Sequence, residues 1–428
     1  MLTRTSVPMS LAVRSRSVLA AASVLWTGAA LLTAAPGADD WPQFLGPQRN
    51  GVSDGPGLAK AWPKEGPPVI WQRDVGEGFS GPAVSDERLI LFHRLSDQAV
   101  VECLEARSGK VVWKAGHPTD YRDDFGFDPG PRATPTVADG RVFTFGAEGR
   151  LSCWKFETGE SLWTVDTAKE LGAGKGWFGR ACSPLVEGNL VLLILGGREG
   201  AGVVAFDVAN GSVRWKATED EASYASPITI DIQGRRTVLA LTREALVGLL
   251  PADGSVLFRY PWRPAMRASV SAATPVVIGD RVFLSASYGA GAVLLRLESG
   301  GPKLIWSAED ALSNHYATSV HHRGFLYGWH GRQEQGCDLR CVELETGKVK
   351  WSESGLKAGT VTLVGDELLV LTEQGELIRC PASPEGFRPT ARVQGFPAGV
   401  RAYPALSKGL LFARSKSRLV ALDVSKEP

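Results

Sequence analysis

Val204-Ala205-Phe206-Asp207-Val208-Ala209-Asn210-Gly211-Ser212-Val213-Arg214-Trp215 runs from a short apolar segment through a turn to a tryptophan four residues after the glycine. The same beat returns at Gly109/Trp113, Gly159/Trp163 and Gly347/Trp351. Pro302/Trp306 keeps the spacing without the glycine, and Gly254/Phe258 keeps it without the tryptophan. Recurrence at roughly 40–50 residues marks a repeat architecture.

A second signal precedes each copy, a proline after a small or turn residue that opens a β-rich run. It stands at Gly81-Pro82, Thr134-Pro135, Ser183-Pro184, Ser226-Pro227, Thr274-Pro275 and Tyr403-Pro404. Thr318-Ser319 and Thr360-Val361 hold the same place without proline, which makes eight starts. Within residues 134–163, Asp139-Gly140, Ala147-Glu148-Gly149 and Thr158-Gly159 are turn signals between four strand-like runs. Four antiparallel strands in each of eight units describe an all-β, eight-bladed β-propeller over residues 67–425.

The last unit ends at its third strand, Leu419 to Asp423. Val69-Ile70-Trp71 precedes the first start with no strands of its own. It is expected to supply the missing fourth strand and close the ring, which would remove an exposed edge. The expected docking residues between blades are then Trp71, Trp113, Trp163, Trp215, Phe258, Trp306 and Trp351. Each ring would lay a flat apolar surface across the gap, and each indole N–H would reach a backbone acceptor. The seventh unit is degenerate: Leu377 to Cys380 leads into Pro381, Pro384 and Pro389 with no tryptophan.

Ala205-x-Asp207-x-x-Asn210-Gly211-x-x-x-Trp215, Glu157-Thr158-Gly159-Glu160-x-x-Trp163 and Glu345-Thr346-Gly347-Lys348-x-x-Trp351 resemble the tryptophan-docking motif of the quinoprotein, or PQQ-like, β-propeller repeat. Asp40-Trp41-Pro42-Gln43-Phe44-x-Gly46-Pro47 looks like the start of exported members grouped with the scaffold of the outer-membrane β-barrel assembly machine. The resemblance implies one of two branches. One uses pyrroloquinoline quinone with calcium to oxidise alcohols or sugars; the other is made of scaffolds without a cofactor. Many alcohol-oxidising members carry two adjacent cysteines, and no Cys-Cys pair occurs here. Those enzymes also carry insertions that build the site, whereas the repeats here fill nearly the whole chain.

Arg4, Arg14 and Arg16 lead an apolar run from Val18 to Ala35, which exits through Gly37 and Ala38 to Asp39-Asp40. That order reads as a signal peptide over residues 1–38, with an uncleaved anchor as the alternative. A segment, residues 39–66, then leads into the propeller. Removing residues 1–38 takes away three arginines and no acid, so the formal charge of +1 becomes about −2. A near-neutral chain offers no broad basic footprint for nucleic acid. The protein is expected to be periplasmic or secreted, with no membrane span once the leader is removed. Its six cysteines are expected to behave as small buried hydrophobes, because equivalent positions in different repeats lie too far apart to bridge.

Propellers place ligands at a mouth of the central channel. The residues three before the strand starts are Phe79, Arg132, Ala181, Tyr224, Ala272, Tyr316 and Arg401, with Arg180, Arg267 and His315 close by. Arginines gathered at one funnel favour a carboxylate or phosphate, with Tyr224 and Tyr316 as flat walls. The alternative is that these arginines are solvated or pair with loop acids. The insertion His117-Pro118-Thr119-Asp120-Tyr121-Arg122-Asp123-Asp124-Phe125-Gly126-Phe127-Asp128 is acidic. Asp120, Asp123, Asp124 and Asp128 lack the spacing of a calcium loop and read better as partners of the funnel arginines; no metal site is expected. Trp177-Phe178-Gly179-Arg180 reads as a lip of the channel. No catalytic motif is present. Three functions stay open: a non-enzymatic binding scaffold for an envelope protein or peptide, a quinone-dependent dehydrogenase, and a module for sugars or small anions.

Overall fold

A computed structural model describes Met1 and residues 39–55, 57–266 and 269–427. The leader assigned to residues 1–38 lies outside the described residues apart from Met1, as does Arg267. Among the described residues, no helix is long and apolar enough to cross a membrane.

Eight sheets follow one another around the ring, and within each the blade's own strands are antiparallel and begin at one of the eight sequence signals. The first blade comprises Ala83–Ser85, Arg88–Leu95, Gln98–Glu105 and Val111–Pro118. The third comprises Leu185–Glu187, Leu190–Ile194, Val203–Asp207 and Val213–Ala217. Middle strands such as Leu190–Ile194 are buried along their whole length, because both faces meet neighbouring blades. The eighth sheet is completed by Val69–Asp74, which pairs antiparallel with Arg418–Asp423 and sets Trp71 opposite Ala421. The ring closes as its repeat register predicts.

The tryptophans join one blade to the next. The indole N–H groups of Trp71, Trp113 and Trp163 donate to the carbonyls of Ala106, Phe156 and Val208 at 2.8, 2.8 and 2.9 Å. Trp215, Trp306 and Trp351 reach Pro251, Leu344 and Ser383, each at 2.8 Å. The structure also gives the glycine a second role. Gly211 has a φ of 76°, and a Cβ there would lie 2.6 Å from the ring of Trp163. The glycine therefore turns the chain toward its own tryptophan and leaves a bare surface for the ring of the preceding blade.

Phe258 departs from this pattern. Its ring folds back over Gly248 of its own blade, directly opposite in the ladder. A cavity of about 140 Å³ remains between it and the hairpin Glu298–Gly301 of the next blade.

A chain of hydrogen bonds ties the inner strands together. The N–H of Gly81 donates to Thr134 Oγ1, Thr134 to Ser183 Oγ, and Ser183 to Ser226 Oγ, at 3.3, 3.0 and 2.9 Å. Ser226 continues to Thr274 Oγ1 and Thr274 to Thr318 Oγ1. The Thr318 N–H then reaches the phenol of Tyr403, which spans from the eighth blade to the sixth. A Cβ on Gly81 would sit 2.6 Å from the Tyr403 carbonyl, so the ring tightens there to a width that admits only glycine.

Residues 40–54 stop the channel. Trp41 exchanges two backbone hydrogen bonds with Val84 of the first blade, and Pro42 accepts from Val137 of the second. Arg49 donates to the carbonyls of Ser183 and Pro184 in the third, at 3.0 and 2.9 Å. Val52–Ser53 lies parallel to Leu363–Val364 and adds a fifth, innermost strand to the seventh sheet. All six cysteines are free thiols; Cys337 is partly exposed and the other five are buried.

Candidate functional site

The residues three places before the strand starts converge on one cavity. Phe79, Arg132, Ala181 and Tyr224 line it from the first four blades; Ala272, Tyr316 and Arg401 complete the circle. The cavity measures about 400 Å³, within the usual range of ligand pockets. His315 also lines it. Phe44 of the channel stopper reaches the cavity too and packs edge-on against Tyr403 at 5.3 Å. The channel mouth is thus a cup with a floor.

Arg180 is a correction to the expected set. It is buried, but its guanidinium does not face the cup: Nη1 donates to the Leu195 carbonyl at 2.7 Å. Its neighbour Ala181 faces the cup, and successive side chains of an extended segment point to opposite sides.

Two of the three arginines that line the cup, Arg132 and Arg401, are engaged with carboxylates of the protein. Arg132 lies 3.2 Å from Asp123 Oδ2 and donates to the carbonyls of Gly130 and Asp128 at 2.8 and 2.9 Å. Arg401 Nε meets Glu373 Oε1 at 2.9 Å, and the same carboxylate accepts from the Tyr316 hydroxyl at 2.8 Å. The two guanidiniums stack against Phe79, at 5.8 and 5.5 Å from the ring centre. These arginines therefore brace aromatic walls.

The other polar groups form a second braced cluster. His315 Nε2 and the Tyr288 hydroxyl are 2.9 Å apart, while His315 Nδ1 meets Gln333 Oε1. Arg332 sits 4.4 Å over the Tyr288 ring and 3.4 Å from Glu334. Burial lowers the His315 pKa, which favours the neutral imidazole, and pushes the Tyr316 phenol well above its ordinary value. The Tyr224 hydroxyl accepts from the N–H groups of Trp177 and Phe178 at 2.8 and 3.0 Å. What remains for a ligand is mostly ring surface.

Two loops raise one side of the rim. Phe125 packs on Phe178 at 5.0 Å and on Trp177 at 6.4 Å, while Phe127 packs on Phe178 at 5.9 Å. Lys175 pairs with Asp124 at 2.6 Å and ties the loops together. Phe125, Phe127 and Trp177 stay exposed at 52, 42 and 41%, so the apolar lining continues onto the surface.

The four loop aspartates are divided among different tasks. Asp123 accepts from the N–H groups of Phe125, Phe127 and Asp128, and Asp128 caps Gly130. Asp124 holds Lys175, and Asp120 is exposed. Among the described residues, no three His, Cys, Asp or Glu side chains gather to hold a metal ion. Calcium takes roughly six to eight oxygens at once. The carboxylate that lines the cup is Glu334, 3.4 Å from Arg332, while Asp123 and Glu373 pair with Arg132 and Arg401 behind it; this donor set does not match what pyrroloquinoline quinone with calcium requires.

Sequence reasoning missed Phe44, Tyr288, Tyr403 and the Arg332–Glu334 stretch as cup residues. Phe44 and Tyr403 stood within quoted motifs, but nothing in their spacing says which way they point. Tyr288 belongs to a turn whose position differs from unit to unit.

The family model described as outer membrane protein assembly factor BamB matches residues 96–353. A protein of that name from Shewanella oneidensis is 22% identical over 384 residues, covering 83% of this chain and 88% of the relative. One from Alkalilimnicola ehrlichii is 50% identical over 42 residues, only 11% of its length. The solved structure of BamB from Moraxella catarrhalis superposes with a TM-score of 0.60 at 16% identity, over 83% of this chain and 99% of that one. Quinohemoprotein alcohol dehydrogenase from Comamonas testosteroni gives 0.63 at 14% identity, over 91% of this chain and 81% of that one. At these identities the solved structures speak for the fold alone.

Proposed function

We propose, from the premise that this chain belongs to the family described as outer membrane protein assembly factor BamB, that it is an exported, non-enzymatic scaffold whose cup receives an apolar, aromatic-bearing segment of an envelope protein. The leader over residues 1–38 would deliver it to the periplasm or the exterior. The observation that carries the reading is the state of the cup's polar groups. Arg132 and Arg401 are each paired with a carboxylate and His315 meets Gln333, while Arg332 lies 3.4 Å from Glu334 with no hydrogen bond at its Nε among the described residues; Phe44, Phe79, Phe178 and Tyr224 present rings. A sugar needs several free hydrogen-bonding groups, and a bound anion needs unpaired cations. An apolar side chain needs neither, and it gains by leaving water. Among the described residues no three His, Cys, Asp or Glu side chains gather to hold a metal ion, which favours the branch without a cofactor.

Calorimetric titration of residues 39–428 tests this with three probes: an octapeptide containing Phe and Trp, pyrroloquinoline quinone with calcium, and maltose. The peptide is expected to bind, with affinity lost on Phe178→Ala. Stoichiometric quinone binding with dye-linked alcohol oxidation would replace the scaffold by an enzyme.

A further inference from the structure

A second, smaller cavity lies beneath the lip. It measures about 20 Å³ and is lined by Gly176, Gly179, Arg180, Ala222, Ser223 and Tyr224, among others. That is room for one particle of roughly the size of a water molecule. Arg180 lines it and is 5% exposed. Its Nη1 is bonded to the Leu195 carbonyl, but Nη2 meets no acceptor among the described residues.

Among the described residues the charge of Arg180 is also unmatched. The groups that act on it are Tyr224 and Cys182, and no carboxylate is among them. Burial lowers its pKa to about 10, which still leaves it cationic at neutral pH. Arg49, which acts on Cys182 as well, is buried against neutral acceptors only: Gln43, Ser183 and Pro184. A buried, unpaired guanidinium is strongly unfavourable. Arg132 and Arg401, which line the cup, each have a carboxylate. Arg180 breaks that rule, and it lines a cavity while one of its buried nitrogens has no partner among the described residues.

We propose that the cavity beside Arg180 binds a small monovalent anion of halide size, chloride in the simplest case. A water molecule would satisfy the free N–H but leave the charge unmatched. Phosphate and sulfate are too large for the space. The position gives the ion a second effect. Gly176 and Gly179 bracket Trp177 and Phe178, whose N–H groups hold the Tyr224 hydroxyl, and Tyr224 lines both cavities. The bound anion fixes the lip and, through Tyr224, one wall of the cup. This last consequence rests on the cup being the binding site; the anion site itself does not.

The test replaces sodium chloride by sodium gluconate at constant ionic strength and follows the melting temperature of residues 39–428. Chloride is expected to raise it in a saturable manner by about 1–3 °C, and Arg180→Met to abolish the dependence. Crystals of the unaltered chain soaked in bromide are expected to show an anomalous peak beside Arg180 Nη2, which keeps the question answerable if the variant does not fold. Equal melting in both salts with only a water at that position overturns the proposal. So does a chloride effect that survives Arg180→Met. Peptide titrations in both salts separate the two readings: peptide binding without a chloride effect leaves the cup and removes the ion, and the reverse removes the cup.

Discussion

The indole N–H of Trp62 donates to the carbonyl of Val424 at 3.1 Å, which is the bond the seventh blade has no tryptophan to make. In the other docked junctions the acceptor follows the third strand of the next blade, as Val208 follows Val203–Asp207. Val424 holds that place in the eighth blade, after Arg418–Asp423. The N-terminal segment thus brings a substitute ring from outside the repeat. Ala59 N–H shares the same carbonyl, and Arg379 stacks on the Trp62 ring at 5.6 Å. Trp62→Ala is expected to cost about 3–5 kcal/mol of stability. Trp62→Phe keeps most of the apolar area and should lose about 1 kcal/mol, the worth of the hydrogen bond. Urea denaturation checks both. A chain starting at Gly76 also lacks the outer strand Val69–Asp74 and should melt lower than Trp62→Ala; melting like the full chain would detach this segment from ring stability.

The Phe258 junction yields the opposite sign. Its cavity of about 140 Å³ stands where the other docked junctions hold an indole. Phe258→Trp is expected to fill part of that space and raise stability by about 1 kcal/mol. The urea midpoint measures it; a lower midpoint would mean that the back-folded ring over Gly248 leaves an indole no path to the slot.

The ring was legible in the sequence because each blade repeats its own punctuation. Gly211 and Trp215 carry the same information as Gly159 and Trp163, so even the assignment of Trp71 to the far end of the chain follows. The cup's circle was legible for the same reason: Phe79, Arg132, Tyr224, Tyr316 and Arg401 hold one register position. The channel stopper was not. Trp41, Pro42 and Arg49 each meet a different blade, through one or two bonds, and no periodicity marks such contacts. Nor was the state of the arginines settled. The partner of Arg401 is Glu373, on the preceding blade, and no local pattern links them.

A buried cluster in the first blade governs acid behaviour. Glu102 lies 2.8 Å from Arg73, 3.3 Å from Lys114 and 3.8 Å from His93. Burial pushes its pKa up, but the surrounding His93, Arg73 and Lys114 outweigh that and hold it at about 2. A carboxylate held below its ordinary 4.5 contributes stability above that value, lost as the pH falls toward about 2. His93 is lowered from 6.5, chiefly by burial, so protonation of the unfolded chain already costs stability as the pH falls below 6.5. Both effects run the same way. The melting temperature should decline below pH 6.5 and more steeply below 4.5. Glu102→Gln should flatten the lower part of that curve relative to the unaltered chain, and His93→Gln the upper part.

The character of the cup can be read from salt. Arg132 and Arg401 are paired with Asp123 and Glu373 and stack on Phe79, so they project little net field into the cavity. A ligand held by ring surface should keep its affinity within about twofold between low and high ionic strength, since screening acts on charges. An anion held by free guanidiniums would weaken by roughly tenfold or more over the same range. Arg401→Ala sharpens the comparison. It leaves the partly buried Glu373 without its cation and uncovers one face of Phe79. Peptide affinity should therefore fall, because a wall has lost its brace, while the salt dependence stays flat. A steep salt dependence in the unaltered chain that disappears in Arg401→Ala would assign the arginine to the ligand and turn the cup into an anion site.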